Sequence, residues 1–579
     1  MSFTPAQLDF ITASGNCIAL AGPGSGKTTS LIEKIIRLLG KPGSKIIAAT
    51  FTRDAADEMT KRLTKRIGKE ALESGRVVIN TWHSLALDHR RKHKLHKKVI
   101  SPAHQAMLIR RVISAHESPD LVNAALQEFE SIKCSLDADF SKVTFPWFQQ
   151  YQRELERHDS IDLYDAVRET AIMISSKKLP PFDATDLIVD ETQDNDEVQF
   201  ELADVHAALG ITTSMVGDDD QCIYEWRRAR GYEGMKAFAE KRNAKIVIMG
   251  DNFRSLKNVV DTADKLIRYN TGFRLPKTFI ARRGAGGSVS VKTMGDIDTT
   301  SASIVEGIST WAQEVPNDGL VNFIVPTNSV AILARNNHLL DAAEAELLRA
   351  QIKYVRSGKS IWESEPADLL MTLLATMVSY DSRGLDVALQ ISGLQHNIIS
   401  AVSDRYASDI KGFISGQATI SDFGVHTENV AKVSQMMAVF HSKAEKREYG
   451  SLIGSMAAFV KNIYRQNSKK NVRYRNILTA VASALIALRG PLVLRLKTAR
   501  TTDHKNDADN AVVLQTFHGS KGLEFNNVFL LGVDQEVIPG DSEIRAERRL
   551  LYVACTRAKE NLVLTYTAGK QSQYIAELA

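Results

Sequence analysis

Eight consecutive residues near the start of the chain, Ala21-Gly22-Pro23-Gly24-Ser25-Gly26-Lys27-Thr28, constrain its fold more than any other stretch. A Gly-rich loop ending in Lys-Thr cradles phosphate only if a strand feeds it and a helix leaves it. Both patterns are present. Cys17 to Leu20 is a short apolar run, and Thr28 to Leu39 places Leu31, Ile35 and Leu38 at helical spacing. Glycines let the backbone close around phosphate oxygens, and the N–H groups of the helix start supply the positive end of a dipole. Lys27 would then reach the β- and γ-phosphates of a triphosphate, and Thr28 would ligate Mg²⁺. The generic pattern opens with glycine, and Ala21 stands in that place here.

A second element completes the chemistry. Leu187-Ile188-Val189 reads as a buried strand that ends in Asp190 and Glu191. The carboxyl end of a strand is where open α/β sheets hold ligands. Asp190 suits the Mg²⁺ shell, and Glu191 suits the general base for an attacking water. Thr192-Gln193-Asp194 follows directly, and a further segment runs from Met215 to Arg227 as Met-Val-Gly-Asp-Asp-Asp-Gln-Cys-Ile-Tyr-Glu-Trp-Arg. Strand, phosphate loop and acidic strand end together predict NTP hydrolysis.

With these segments the chain resembles the UvrD/Rep/PcrA family of superfamily 1A DNA helicases over most of its length. Asp190-Glu191-Thr192-Gln193-Asp194 matches the family's second motif, and Gly217 to Arg227 its third. Asp251-Asn252-Phe253-Arg254-Ser255 is similar to the fourth, Thr516 to Phe525 to the fifth, and Glu547 to Ala558 to the sixth. Ala49-Thr50-Phe51-Thr52 with Ala55, Ala56 and Met59 resembles the motif after the phosphate loop, and Thr81-Trp82-His83 the next.

The resemblance implies an α/β fold of two RecA-like P-loop NTPase motor domains, each carrying a mainly helical inserted subdomain, with ATP between the two motors. The first motor domain is expected over 1–88 and 183–282, with its helical insertion over 89–182. The second is expected over 283–375 and 505–579, with its insertion over 376–504. In the nucleotide site the resemblance gives Gln7 to the adenine edge, Phe253 (in place of the usual Tyr) to adenine stacking, and Glu524 to the ribose. Ala21, Gly22, Gly24, Ser25, Gly26, Lys27, Thr28 and Thr29 line the phosphates. Gln221 senses the γ-phosphate, Arg254 and Arg557 neutralise its developing charge, Glu191 is the base, and Thr28 and Asp190 hold Mg²⁺. For single-stranded DNA, a track needs aromatic faces for bases and cations for phosphates. Phe51, Tyr224 and Trp226 supply the stacking side by resemblance, with Thr81, His83 and His518 along the channel. Trp226 follows Gln221 by only five residues, so one short segment would link the γ-phosphate to a stacked base.

The function so implied is an ATP-dependent DNA helicase that translocates 3′ to 5′ on single strands and unwinds duplex DNA in repair, replication or recombination. ATP and Mg²⁺ are the expected cofactors. Single-stranded DNA and single-strand/duplex junctions are the expected partners, alongside repair, replication or recombination proteins. Two alternatives remain open: a translocase that strips proteins from single strands with little unwinding, and a DNA-binding subunit of a repair or defence complex.

Composition is consistent with this. A chain of 579 residues exceeds one core, and about two to four domains are expected. Hydrophobic content of 44% and charged content of 24% are ordinary for globular proteins. A net charge of +5 permits nucleic-acid binding without requiring it. No apolar run approaches the roughly 18 residues of a membrane span, and the N-terminus does not read as a signal peptide. Cys17, Cys134, Cys222 and Cys555 are widely separated, which disfavours a zinc or iron–sulfur site and fits reduced thiols in the cytoplasm. A bacterial or phage-infected cell, with the protein on nucleoid DNA, is the expected setting.

Three local expectations remain. The basic run 89–98 is either a solvated face or a DNA-phosphate contact. Arg282-Arg283-Gly284-Ala285-Gly286-Gly287 reads as a flexible junction. Ile391-Ser392-Gly393-Leu394 is a poor match to the hairpin with which larger relatives grip duplex DNA, and Lys469, Lys470, Arg473 and Arg475 form a second basic patch. The chain ends soon after Arg557, so neither a C-terminal nuclease domain nor a long partner-binding tail is expected.

Overall fold

The computed structural model describes residues 3–95, 97–113, 119–136, 139–145, 147–310, 312–314, 323–466, 468–501 and 509–578. These form two compact units, Met1–Gly287 with Ser542–Tyr552, and Ser288–Asp541 with Val553–Glu577. The break at Gly287 falls at the Gly-rich junction read from the sequence. The segment Ser542–Tyr552 groups with the first unit, although the sequence reading put all of 505–579 in the second. No helix among the described residues is long and apolar enough to cross a membrane.

In the first unit six strands form one wholly parallel sheet. They are β1 (Cys17–Ala21), β2 (Ile46–Thr50), β3 (Val77–Thr81), β4 (Asp186–Val189), β5 (Thr212–Gly217) and β6 (Lys245–Met249), in the order β3-β2-β4-β5-β1-β6. Strands β1, β2 and β4 are buried along their whole length, as expected where helices cover both faces of a parallel sheet. One side of the sheet packs Leu31, Ile35, Met59 and Leu63 with Val216; the other packs Leu85, Val167, Leu202 and Phe238 with Met215.

Between β3 and β4 the chain is helical: Trp82–Lys92, Pro102–Ile113, Pro119–Lys133, Phe148–Arg157 and Leu163–Ser175. Ile109, Phe129, Phe148 and Tyr151 give this insertion a core of its own. Its only strands among the described residues are the short pair Lys98–Val99 and Ser160–Ile161.

The second unit repeats the sheet type. Strands β7 (Ser288–Met294), β8 (Val330–Ala334), β9 (Tyr354–Arg356), β10 (Val512–Thr516), β11 (Phe525–Leu531) and β12 (Ala558–Thr567) pair in parallel in the order β7-β12-β11-β8-β10-β9. A helical body runs from Glu365–Ser379 to Leu492–Thr501. Its core takes in Ile361, Leu370 and Leu374, which precede position 376 and pack with Leu452, Leu478 and Leu485. The end of this insertion at 502–504 lies outside the described residues.

Two local expectations change. The 282–287 stretch is tied down: Lys257 N–H donates to Gly284 O, Asn258 N–H to Gly286 O, and Asn258 Nδ2 to Gly287 O (2.9 Å). These bonds satisfy donors at the start of helix Lys257–Arg268, which has no side-chain cap. The basic run is largely occupied by carboxylates. Arg90 is buried against Glu169 (2.9 Å), which Lys97 also reaches (3.0 Å); Arg91 pairs with Asp88 and Lys92 with Asp183 (3.5 Å). Its His96 lies outside the described residues.

Candidate nucleotide and nucleic-acid sites

The phosphate loop leaves β1 and turns into helix Lys27–Leu39, whose buried face carries Leu31, Ile32, Ile35 and Leu38. Gly26 is the N-cap at φ +79° and Gly24 sits at φ +67°, both in the region that glycine enters without cost. A Cβ at Gly24 would also stand 2.5 Å from Arg254 Cβ, so the loop and the segment 251–255 meet at van der Waals limit. That contact is fixed by Asn252: its Nδ2 donates to Pro23 O (2.8 Å), and its Oδ1 accepts from the N–H groups of Arg254 (2.9 Å) and Ser255 (2.8 Å). Phe253 N–H donates to Gly24 O (2.9 Å), while the residue is 46% exposed, leaving its ring free to stack.

Gln7 also reaches the loop. Thr4 and Gln7 form a capping box on helix Pro5–Thr12, and Gln7 Nε2 donates to Ser25 O (2.9 Å). Ser25 Oγ is buried and bonds to no protein atom. A buried orphan hydroxyl, glycines that leave the backbone open, and a helix start with unused N–H groups all fit a polyphosphate. Thr28 and Thr29 lie in the first turn of the same helix, half-buried.

The carboxylates follow β4. Asp190 is buried, and burial together with the neighbouring Glu191 charge raises its carboxyl to about 7. Such a group favours a cation beside it. Lys27 Nζ lies 3.6 Å from Glu191 Oε2, so the loop lysine and the candidate base share one spot. Glu191 itself is in the left-handed backbone region at φ +46°, a conformation costly for a non-glycine and common at functional turns. Gln193 Nε2 donates to Glu191 Oε2 (2.5 Å), and Gln221 Nε2 donates to Asp218 Oδ2 (2.7 Å) at the end of β5. Magnesium chemistry at Thr28 and Asp190 would polarise phosphate oxygens and neutralise their charge.

The remaining sequence-expected nucleotide residues belong to the second unit. Arg557 is 1% exposed, with its guanidinium on Val553 O (2.8 Å), Leu523 O (3.1 Å) and Thr556 Oγ1 (2.9 Å). Glu524 pairs with Lys559 at 2.8 Å. His518 is half-buried in the turn after β10.

The aromatic expectations converge. Phe51, in the turn after β2, stacks on Tyr224 with ring centroids 5.2 Å apart and 25° between planes. Trp226 stands edge-on to Tyr224 at 6.4 Å, is 47% exposed, and carries the Arg227 guanidinium 4.7 Å from its ring centre. Thr81 caps helix Trp82–Lys92 through Ser84 N–H. His83 faces Tyr164 edge-on at 5.4 Å, and burial plus the nearby Arg227 lowers it to about 4, so it is neutral at neutral pH. One short segment, 217–227, thus runs from the γ-phosphate candidate to an exposed aromatic–arginine face.

The sequence reading missed the groups that hold this segment in place. Asn252, Gln193 and Asp218 lie inside recognised motifs, yet their side-chain bonds are not legible there. Arg274 and Lys277 lie in no motif, and the one available signal was Asp218-Asp219-Asp220 itself, three carboxylates after a buried strand that require cations from elsewhere.

Comparison with known proteins finds one helicase family along the chain. The UvrD/REP helicase N-terminal domain model matches residues 3–241, and the UvrD-like helicase C-terminal domain model matches residues 247–569. The chain is similar to "ATP-dependent DNA helicase Rep" of Buchnera aphidicola subsp. Schizaphis graminum, at 27% identity over 96% of this chain and 91% of that protein. It is similar to "ATP-dependent DNA helicase PcrA" of Staphylococcus epidermidis, at 25% identity over 96% of this chain and 82% of the other. To "DNA helicase II" of Salmonella typhimurium it is 27% identical over 97% of this chain and 85% of the relative.

Proposed function

This chain belongs to the UvrD/Rep family of helicases, and on that premise we propose that it is an ATP-dependent DNA helicase moving 3′ to 5′ along single strands. ATP hydrolysis and DNA helicase activity come with the family; the polarity, the residue roles and the use of Mg²⁺ are our reading. The observation that carries it is the continuity of the segment 217–227. Gln221 within it is hydrogen-bonded to Asp218, which directly follows β5, and Trp226 five residues later is exposed beside Arg227 and the Phe51–Tyr224 stack.

In this reading Gln7 and Phe253 hold adenine, and the loop from Ala21 to Thr29 holds the phosphates. Lys27 neutralises the β- and γ-oxygens. Glu191 takes the proton of the attacking water; its ion pair with Lys27 opens as the phosphates claim the lysine. Gln221 senses the γ-phosphate, and Arg254 and Arg557 offset its charge as the bond breaks. Glu524 contacts the ribose. Bases stack on Phe51, Tyr224 and Trp226, and Thr81, neutral His83 and His518 line the strand. Loss of the γ-phosphate changes what Gln221 bonds to, and the 217–227 segment passes that change to the stacked base. Single strands and single-strand/duplex junctions are the substrates, and repair, replication or recombination is the setting.

Matched partial duplexes with a 3′ or a 5′ single-stranded tail test this. ATP-dependent unwinding of the 3′-tailed substrate alone, lost in Glu191→Gln, is expected. Unwinding from the 5′ tail would refute the polarity. Removal of a bound protein without strand separation would turn the reading to a translocase.

A further inference from the structure

Asp218, Asp219 and Asp220 are each 1% exposed or less. Three adjacent buried carboxylates are tolerable only with cations among them. The cations come from one distant segment, 274–277. Lys277 Nζ lies 2.7 Å from Asp218 Oδ1 and 3.0 Å from Asp220 Oδ2, and also touches Asp219. Arg274 forks onto Asp220 through Nε (3.0 Å) and Nη2 (2.7 Å). Leu275 N–H donates to Asp219 Oδ2 (2.7 Å). Burial alone would make Lys277 give up its proton, but Asp218, Asp220 and Asp219 outweigh it and the ammonium stays charged.

Asp218 is the hub of this cluster. Its Oδ2 accepts from Gln221 Nε2 (2.7 Å), and its N–H donates to Gln193 Oε1 (2.9 Å). Gln193 Nε2 in turn holds Glu191 Oε2 (2.5 Å), which faces Lys27. Lys277 therefore anchors the one residue whose carboxylate holds the side chain read as γ-phosphate sensor and whose backbone N–H holds the amide that aims the candidate base. The segment bearing Lys277 continues into Ile280–Ala281, which pairs with Asp251–Asn252 beside Phe253.

We propose that Lys277 is a positioning residue for ATP hydrolysis, acting through Asp218 on Gln221 and, through Gln193, on Glu191; the proposal rests on the roles given to those residues above. A lysine that merely completed the core would change how much protein folds and leave the turnover of each folded molecule alone. A positioning lysine changes kcat more than nucleotide binding, and its effect depends on Gln193 being present.

The test compares wild type with Lys277→Gln and Lys277→Arg, each rate normalised to the fraction of chains that bind a fluorescent ATP analogue. We expect Lys277→Gln to lower kcat for DNA-stimulated hydrolysis about tenfold, to change KM for ATP less than about threefold, and to be largely rescued in Lys277→Arg. In a Gln193→Ala background the same change should lower kcat no more than about threefold. If Lys277→Gln gives no nucleotide-binding protein, Arg274→Gln, at a side chain 13% exposed, takes its place with the same expected split. An unchanged kcat per binding-competent molecule, or losses that multiply in full in the Gln193→Ala background, would overturn the positioning role while leaving the helicase reading intact. Wild-type protein without DNA-stimulated hydrolysis would overturn both.

Discussion

Both units carry a six-stranded, wholly parallel sheet, yet only the first has a phosphate loop at a carboxyl edge. After β1 the first unit turns through Gly22-Pro23-Gly24-Ser25-Gly26; after β8 the second turns through Arg335-Asn336-Asn337, with no glycine. The contrast extends to buried charge. In the first unit Lys277 and Arg274 neutralise an aspartate cluster that is hydrogen-bonded to Gln221 and Gln193. In the second, buried Arg356 pairs with Glu344 and with Asp341 (2.8 Å), Tyr354 and Ser360 bond to Glu344, and Arg473 of the helical body reaches Asp341 (3.1 Å). That network joins strand β9 to helix Leu340–Arg349 and to helix Lys469–Ala487, and it includes none of the nucleotide-site residues. Similar sheets and similar burial of charge thus serve different ends, and the difference lies in the loops and in what the charges touch.

The largest expected effect tests the first half of that contrast. Lys27→Ala should lower kcat/KM for ATP on the order of 10³-fold, measured by steady-state phosphate release, if Lys27 neutralises the γ-phosphate as proposed. The matching change in the second unit is Arg356→Met. It should destabilise that unit by about 3–5 kcal/mol in urea unfolding, since Glu344 is left buried without its partner. Binding of a fluorescent ATP analogue, per folded molecule, should stay within about twofold of wild type. Loss of nucleotide binding in proportion would erase the distinction between the two networks.

A smaller effect sharpens the comparison inside the first unit. Trp226→Ala should lower the DNA-stimulated ATPase rate about tenfold, corresponding to roughly 1–3 kcal/mol of lost base stacking, and the basal rate less. Equal losses would mean that Trp226 supports the fold rather than the strand.

The smallest effect concerns stability alone. His206 is fully buried, accepts from Phe182 N–H through Nε2 (2.9 Å) and donates to Leu202 O through Nδ1 (2.5 Å). Burial lowers it to about 4, below its ordinary 6.5. The unfolded chain therefore binds the proton more readily. The stability from neutral His206 is complete above about pH 6.5 and is lost as pH falls towards 4, by about 1–3 kcal/mol. Urea midpoints between pH 7 and 4.5 should fall less steeply in His206→Gln than in wild type; identical slopes would contradict the assignment.

The local backbone of the candidate nucleotide site was readable because a phosphate-binding loop ties residue type to spacing: Gly24 and Gly26 enter positive φ, and Lys27 opens a helix. Strand-forming runs such as Cys17–Ala21 and Val330–Ala334 were legible because both faces of a parallel strand are buried. Arg274 and Lys277 were not, because a salt bridge across 58 residues leaves no periodicity. The basic run 89–98 shows the same limit in reverse. Its charges read as either a solvated face or a DNA contact, and nothing in the run itself announces that Glu169, Asp88 and Asp183 pair with Arg90, Lys97, Arg91 and Lys92. The Gly-rich 282–287 stretch promised flexibility from composition, but the uncapped start of helix Lys257–Arg268 gives its carbonyls donors to bind.

The most direct measurement is steady-state ATP hydrolysis by the purified chain, with and without single-stranded DNA, beside Glu191→Gln. Hydrolysis raised about tenfold or more by single strands, and abolished in the variant, is expected if the first unit couples its phosphate loop to a stacked base. Hydrolysis indifferent to DNA, or surviving in Glu191→Gln, would contradict that coupling.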